Sequence, residues 1–243
     1  MKKFELVVPA YNEGQNVEAV IRRAVEAAKA QNLSSDDFSL LVVQNGSTDN
    51  SAEVLDKLKA GSELGPWFKI VTVVKNQGYG FGLWQGLKAS SSDIVGWSHA
   101  DQQCDPSDAI KAYRMVESSA DKKVLVKGER FERSFKDKFV SRVFELFAKV
   151  ILGVTVYEMN AQPKVFRREL LATVKNPPMT FAFDLYILYQ AAKAQYKLET
   201  IPVKFPPRIH GLSKWASNFF SRYKTILGMI RYMLELRKTE GRA

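Results

Sequence analysis

The first half of the chain alternates between short apolar runs and amphipathic segments, and this alternation restricts the fold more than any other feature. Short runs rich in β-branched residues predict strands, and segments with helical spacing of apolar residues lie between them. This order predicts an α/β fold, with a mostly parallel central sheet between two helix layers. The predicted strands are 4–8, 40–43, 70–74 and 94–97, and the predicted helices are about 15–31, 49–60, 80–89 and 106–118.

Polar or glycine-rich residues follow each of these four strands. In open parallel sheets, ligands bind outside the carboxyl ends of the strands. We therefore expect one binding rim where four segments meet, namely 9–13, 44–49, 75–80 and 99–103.

The segment after the fourth strand carries side chains that suit a divalent cation. In extended backbone alternate side chains share a face, so His99, Asp101 and Gln103 are predicted to point the same way. The carboxylate and amide oxygens among them suit Mg²⁺ or Mn²⁺, which keep several waters and bridge to substrate phosphates. The alternative is a polar turn ahead of a helix that starts at Pro106. Cys104 has no CxxC partner, which disfavours zinc.

Residues 75–82, KNQGYGFG, hold three glycines at alternate positions ahead of a helical pattern. Backbone N–H groups and a helix N-terminus at this place suit a phosphate. A tight turn between strand and helix produces the same pattern, so both interpretations stay open.

The charge balance favours a polyanionic partner. The net charge is +10, and residues 204–243 contain nine Lys or Arg but only two Glu. Nucleic acid, an anionic membrane face or phosphorylated small molecules fit this excess. No apolar stretch approaches the roughly 18 residues that cross a bilayer. A single cysteine and the lack of a recognisable signal peptide predict a cytoplasmic protein.

From about residue 124 the alternation weakens. We predict a strand into 127–133, helices near 134–152 and 182–195, and a last strand at 198–203. No Ser- or Gly-rich linker separates the two halves, which indicates one domain. Beyond it, apolar residues at helical spacing predict a basic amphipathic helix over 214–243. Such a helix lies on an anionic membrane, or packs on its own domain or a second subunit.

Five motifs in a fixed order resemble one known family. They are VPAYNEGQN at 8–16, NGSTDNS at 45–51, NQGYGFGLWQGL at 76–87, ADQQCDP at 100–106 and RIHGLSK at 208–214. The chain resembles the family-2 glycosyltransferases with the GT-A fold, over nearly its whole length. It is most similar to the dolichol-phosphate mannose synthase branch, which makes polyprenyl-phosphate sugars.

The resemblance implies a domain layout and a partner. A Rossmann-like GT-A domain would cover 1–213, with a nucleotide-sugar-binding half at 1–123 and an acceptor half at 124–213. The C-terminal helix over 214–243 would then contact an anionic membrane from the cytoplasmic side, as the branch favours. A homo-oligomer stays open. Nucleic acid is not expected, since no motif of the usual nucleic-acid modules is present.

The resemblance also assigns roles to single residues. Asp101 would be the metal-binding carboxylate of a D-x-D element for Mg²⁺ or Mn²⁺, assisted by Gln103. The nucleotide-sugar pocket would comprise Pro9, Tyr11, Glu13, Asn45, Gly78, Gly80, His99, Ala100 and Asp101. The diphosphate or acceptor phosphate would meet Arg130, Arg133, Lys138, Arg208, His210, Ser213 and Lys214, the last four on a loop that closes over the donor.

Three residues in two motifs depart from the family pattern. The family usually reads Asp-Asp-Gly-Ser where this chain has Gln44-Asn45-Gly-Ser, so an amide replaces the carboxylate that commonly meets the base. An amide both donates and accepts, which permits a different pairing. His99 stands at the first Asp of the D-x-D element. The base and the metal dependence are therefore not inherited with the family.

Asp184 lies where inverting members often carry an acid near the acceptor. A hydroxyl acceptor needs a general base, whereas a phosphate acceptor is already ionised. The alternative is a carboxylate favoured by the dipole at a helix start.

The predicted function is inverting transfer of a hexose-type sugar from a nucleotide sugar to a polyprenyl phosphate, with metal-assisted departure of the nucleoside diphosphate. One alternative is transfer to a hydroxyl of a glycan or lipid-linked oligosaccharide, with Asp184 as the base. The other is a non-catalytic nucleotide or nucleic-acid binding module.

Overall fold

A computed structural model describes residues 2–131, 135–208 and 219–242, without the side chains of 135–140 and 219–225. The strands are β1 (Phe4–Ala10), β2 (Phe38–Asn45), β3 (Phe68–Val73), β4 (Ile94–Trp97), β5 (Val124–Arg130), β6 (Lys164–Arg167) and β7 (Lys197–Val203). The longer helices are α1 (Val17–Ala30), α2 (Ser51–Ala60), α3 (Tyr79–Ala89), α4 (Pro106–Ser118), α5 (Phe135–Phe147), α6 (Phe183–Lys193) and α7 (Phe219–Glu240). A π-helical turn (Ala148–Leu152) extends α5.

The strands form one seven-stranded sheet in the order β3-β2-β1-β4-β6-β5-β7. It is parallel except for β6, which runs antiparallel to both β4 and β5. The mostly parallel sheet is therefore confirmed, and both predicted halves contribute strands to it. The strand β6 was not predicted, because its four residues KVFR begin with a lysine and show no apolar alternation.

Two apolar layers cover the sheet. On one face α1, α2 and α4 pack, and the ring of Phe4 stacks on Tyr113 with centroids 4.9 Å apart. On the other face lie α3, α6 and α7, and Trp97 meets Phe166 and Phe183 edge to face. Both faces of the central strands are thus buried, as a parallel sheet requires.

The helix α7 confirms an amphipathic C-terminal helix, although its described part begins at Phe219 rather than at 214. Its apolar side packs on the domain, where Met229, Met233 and Leu236 are buried. At its end the Glu240 carboxylate accepts from the Gln190 amide at 2.7 Å. The sequence left open contact with a membrane, packing on the domain and packing on a second subunit, and this side of α7 packs on the domain. No helix within the described residues is both long and apolar enough to cross a bilayer.

Candidate active site

The loops that follow β1 and β2 are bonded to each other at the carboxyl edge of the sheet. The backbone N–H of Asn12 donates to Ser47 Oγ at 3.1 Å, and that of Thr48 donates to Asn12 Oδ1 at 2.8 Å. The amide of Gln102, from the loop after β4, reaches Asn16 Oδ1 at 2.8 Å. These bonds join the loops after β1, β2 and β4, which are three of the four segments predicted to meet at one rim.

Asp101 lies at the centre of this rim and is only 4% exposed. Its Oδ2 pairs with Arg208 Nη2 at 2.8 Å, and its Oδ1 accepts from the backbone N–H of Gln103 at 3.2 Å. The Gln103 side chain accepts from Arg208 Nε at 3.1 Å and donates to the Pro206 carbonyl at 2.8 Å. The predicted proximity of Asp101 and Gln103 is therefore confirmed.

The predicted reason for that proximity is wrong. The segment is not extended: β4 ends at Trp97, and Gln102 has a left-handed backbone with φ of 60°. This turn brings the Gln103 backbone onto Asp101, while Ala100 is buried in the core. The polar turn and the cluster of oxygen ligands are thus the same feature.

The oxygens of Asp101 and Gln103 fit a cation that is shared with a substrate. Among the described residues no group of three or more His, Cys, Asp or Glu could enclose a metal ion. Mg²⁺ and Mn²⁺ typically take one or two protein oxygens, several waters and phosphate oxygens. The donor set therefore fits a diphosphate-bridging cation rather than an all-protein metal site.

Glu13 stands beside this corner, on the loop that also carries Tyr11 and follows Pro9. Burial raises the pKa of the Glu13 carboxyl, and the negative charge of Asp101 adds to the rise. The Asn16 amide opposes it by donating to Glu13 Oε2 at 2.6 Å. The corner therefore combines two acidic side chains, which favours cationic partners.

His99 lies next to the ring of Tyr79, with centroids 5.7 Å apart. Burial lowers the pKa of the His99 imidazole, against the opposing charges of Asp101 and Asp184. A neutral imidazole at neutral pH accepts or donates a hydrogen bond but adds no charge. This residue therefore does not replace the charge of a carboxylate.

Asp184 is buried below this rim, in the first turn of α6, as the helix-start interpretation predicted. Its Oδ1 accepts from Gln162 Nε2 at 2.8 Å, from Trp97 Nε1 at 3.3 Å and from Lys164 Nζ. Lys164 is fully buried, and burial lowers the pKa of its ammonium while Asp184 opposes that shift. The Asp184 carboxylate is therefore one half of a buried ion pair.

Sequence reasoning missed Lys164 and its neighbour Lys127, which face each other across β5 and β6. Both side chains are buried, and burial lowers the pKa of Lys127 to about 7. The available signal was a lysine directly after the apolar run 124–126, since a buried lysine needs a partner. The sequence pattern does not indicate which carboxylate is that partner.

Asn45 lies behind the glycine-rich turn rather than at the open rim. It is 3% exposed, and its Nδ2 donates to the Gly78 carbonyl at 3.2 Å. Its Oδ1 has no partner among the described residues. Gly78 has φ of 114°, and a Cβ on Gly80 would lie 2.2 Å from the Pro178 carbonyl oxygen. The glycines are thus required by packing, which supports the tight-turn interpretation.

On the acceptor half, Arg130 is held in place from two sides. Its Nε donates to Glu158 Oε2 at 2.7 Å, and its guanidinium lies 5.2 Å from the Phe205 ring centroid. Five other predicted phosphate ligands fall outside the described residues or side chains and remain predictions: Arg133, Lys138, His210, Ser213 and Lys214.

Solved structures share the fold. Glucosyl-3-phosphoglycerate synthase from Mycobacterium tuberculosis, in complex with phosphoglyceric acid, matches with a TM-score of 0.72 at 18% identity, over 96% of this chain and 80% of that one. Its complex with Mn²⁺, uridine diphosphate and glucosyl-3-phosphoglycerate matches with a TM-score of 0.70 at 18% identity, over 100% and 81%. These likenesses confirm the predicted Rossmann-like GT-A fold.

Curated relatives share sequence. An undecaprenyl-phosphate 4-deoxy-4-formamido-L-arabinose transferase from Serratia proteamaculans is 26% identical over 178 residues, which cover 72% of this chain and 52% of the relative. A relative of the same name from Yersinia enterocolitica is 27% identical over 173 residues, covering 70% and 50%. This chain spans about half the length of these relatives. The model of the family described as "Glycosyl transferase family 2" matches residues 5–190, well over half of the chain, and the chain belongs to that family.

Proposed function

We propose that this chain transfers a hexose-type sugar, with inversion, from a nucleotide sugar to a polyprenyl phosphate. A phosphate oxygen of the acceptor attacks the anomeric carbon, and the bond from that carbon to the donor diphosphate breaks. The diphosphate leaves with the electron pair. The relatives named as undecaprenyl-phosphate sugar transferases support the acceptor, although they are about twice as long. The fold neighbour crystallised with uridine diphosphate and Mn²⁺ supports the donor class.

The observation that carries the proposal is the corner formed by Asp101, Gln103 and Arg208. When bound at the two oxygens, Mg²⁺ or Mn²⁺ would neutralise charge that develops on the leaving diphosphate. Arg208 pairs with Asp101 at this corner, and its guanidinium would also pair with the phosphate oxygens of the donor. Glu13, on the neighbouring loop, contributes to the negative potential that draws a cation to this corner.

The surroundings of Asp184 favour a phosphate acceptor over a hydroxyl acceptor. A general base needs a carboxylate that readily takes a proton from the attacking group. Here one oxygen of Asp184 accepts three hydrogen bonds, one of them from the Lys164 ammonium, so this oxygen is already engaged by groups of the domain. An ionised phosphate needs no base. In the hydroxyl alternative, Asp184 would have to give up part of these contacts to reach the acceptor.

Contact with an anionic membrane is part of the proposal. The outer side of α7 exposes Arg231 and Lys238 beside Leu234, which is 48% exposed. Near it, Leu146 and Val150 are 61% and 58% exposed at the end of α5 and in the π-helical turn, which packs on α7. Basic and apolar side chains on one surface suit the boundary of an anionic bilayer.

The test is a transfer assay with purified protein. Uridine-diphosphate and other nucleotide sugars are incubated with undecaprenyl phosphate and Mn²⁺ or Mg²⁺, and both the released nucleotide and the labelled lipid are quantified. We expect a lipid product from wild type and its loss in Asp101→Asn. Nucleotide binding without product in every combination would instead support the non-catalytic binding module. Product from a glycan but not from the lipid phosphate would support the hydroxyl alternative.

A further inference from the structure

The guanidinium of Arg208 bridges the two side chains that are proposed to hold the cation. Its Nη2 lies 2.8 Å from Asp101 Oδ2, and its Nε lies 3.1 Å from Gln103 Oε1. A guanidinium is a planar fork that matches two oxygens at once. The guanidinium therefore contacts one oxygen of each side chain that is proposed to bind the divalent cation.

Burial explains why this corner contains a positive group. Asp101 is almost fully buried, and a buried carboxylate without a partner costs several kcal/mol. Glu13 lies close enough for the charge of Asp101 to raise its pKa. A cation is therefore needed here before any ligand arrives, and Arg208 supplies it.

We propose that Arg208 and the divalent cation exchange at this corner, so that Arg208 holds the empty site and is displaced when the cation binds. The inference rests on the proposed role of Asp101 and Gln103 as cation ligands. Oxygens of Mg²⁺ and Mn²⁺ sites lie about 2.0–2.2 Å from the metal. A cation at that distance would compete with the guanidinium for the lone pairs of these oxygens, and the two positive charges would repel each other. The displaced Arg208 then becomes available to the donor diphosphate.

The exchange reaches the acceptor half through residues 204–208. Gln103 donates to the Pro206 carbonyl of this segment at 2.8 Å, and Phe205 of the same segment lies against the Arg130 guanidinium. Phe205 lies two residues after the end of β7 at Val203, in the same segment as Arg208. Movement of Arg208 is therefore expected to move the residue that contacts Arg130. Cation binding therefore alters the surroundings of Arg130 as well as those of the diphosphate.

Manganese affinity of the substrate-free protein tests the exchange without any transfer assay. The concentration of free Mn²⁺ is measured by electron paramagnetic resonance as Mn²⁺ is added to each protein. The proteins are wild type, Arg208→Gln, Arg208→Lys, Lys204→Gln and Asp101→Asn, and circular dichroism checks that each is folded. Occupation of the site by Arg208 raises the apparent Kd by the reciprocal of the open fraction. We expect Arg208→Gln to bind Mn²⁺ about tenfold more tightly than wild type, and Asp101→Asn to lose binding.

The control separates exchange from a general charge effect. Lys204 is an exposed cation of the same segment, and the described residues give it no ion pair with Asp101. Lys204→Gln is expected to stay within about twofold of wild type, since exposed charges are screened. Arg208→Lys keeps the charge but loses the fork, and it is expected to fall between wild type and Arg208→Gln.

Four outcomes would overturn the exchange. Unchanged Mn²⁺ affinity in Arg208→Gln, with binding that still needs Asp101, would refute the exchange and leave the proposed cation site intact. Equal tightening by Lys204→Gln would show a charge effect only. Binding that does not depend on Asp101, or no binding in any variant, would refute the cation site as well.

Discussion

The Asp184 carboxylate at the start of α6 and the Lys164 ammonium at the start of β6 form an ion pair that is buried from solvent on both sides. The two residues come from different layers of the domain, a helix and the sheet beneath it. The pair ties α6 to the one antiparallel strand of the sheet and lies directly under the candidate site.

We expect Lys164→Met to destabilise the protein by about 3–5 kcal/mol, because it leaves the Asp184 charge buried without a partner. Urea unfolding followed by circular dichroism measures the change. The double variant Lys164→Met with Asp184→Leu is the control, since it removes both charges, and it should recover most of the loss. If the double variant is as unstable as the single one, the ion pair makes a net favourable contribution to the free energy of unfolding.

Asp184→Asn should slow transfer to a polyprenyl phosphate by less than about tenfold per folded molecule, because an ionised acceptor needs no general base. The measurement is kcat at saturating substrates, normalised to the folded fraction from thermal melts. A loss of about a hundredfold or more, with an unchanged fold, would restore Asp184 as a base and favour a hydroxyl acceptor.

Asp101→Asn should lower kcat by about 10²–10³, the usual effect of losing one group that stabilises leaving-group charge. The matched control is Asp105→Asn, four residues further on. Asp105 caps α4 by accepting from the Ser107 N–H at 2.8 Å, and asparagine caps a helix equally well. Equal losses in the two variants would point to general disturbance of the turn instead.

Two glycines should respond to alanine in opposite directions. A Cβ on Gly82 would lie 2.6 Å from Asn45 Nδ2, so Gly82→Ala should destabilise the fold by about 1–3 kcal/mol through overpacking. Gly228 of α7 has nothing within 4 Å of the new Cβ, and Gly228→Ala should stabilise by about 0.5–1 kcal/mol. The urea unfolding midpoints of the two variants measure these changes. An unchanged midpoint in Gly82→Ala would show that the Asn45 side chain can move away from the new Cβ.

Lys127 should make stability depend on pH above neutrality. Burial lowers its pKa to about 7 from an ordinary value of 10.5. Between those values the unfolded chain binds one more proton than the folded chain, so the free energy of unfolding rises as the pH rises through this window. Urea unfolding at pH 7 to 10 should show a rise in wild type that is absent in Lys127→Met. If the free energy of unfolding rises with pH equally in wild type and in Lys127→Met, groups other than Lys127 cause the rise.

The strands and helices of the first half follow from local patterns, and the structure confirms them within a few residues. The runs around Phe4, Leu40 and Ile94 are apolar and β-branched because both faces of the central strands are buried. The carboxyl-edge site around Asp101 follows as well, since consecutive parallel strands must place their ends on one side. The short strand β6 was not predicted, because four residues are too few to show a strand periodicity.

Local sequence patterns were sufficient to predict the α/β architecture, the edge of the sheet that carries the site and the family. The partner of each polar side chain, in contrast, followed from three-dimensional packing. This packing paired Asp184 with Lys164, set Asn45 behind the glycine turn and laid Arg208 across Asp101 and Gln103. The physical reason is that periodicity records which side of an element faces the core, whereas these partners lie 20 to 107 residues apart in sequence. Their pairing depends on burial, which removes water as the competing partner and makes each buried charge or amide find another group.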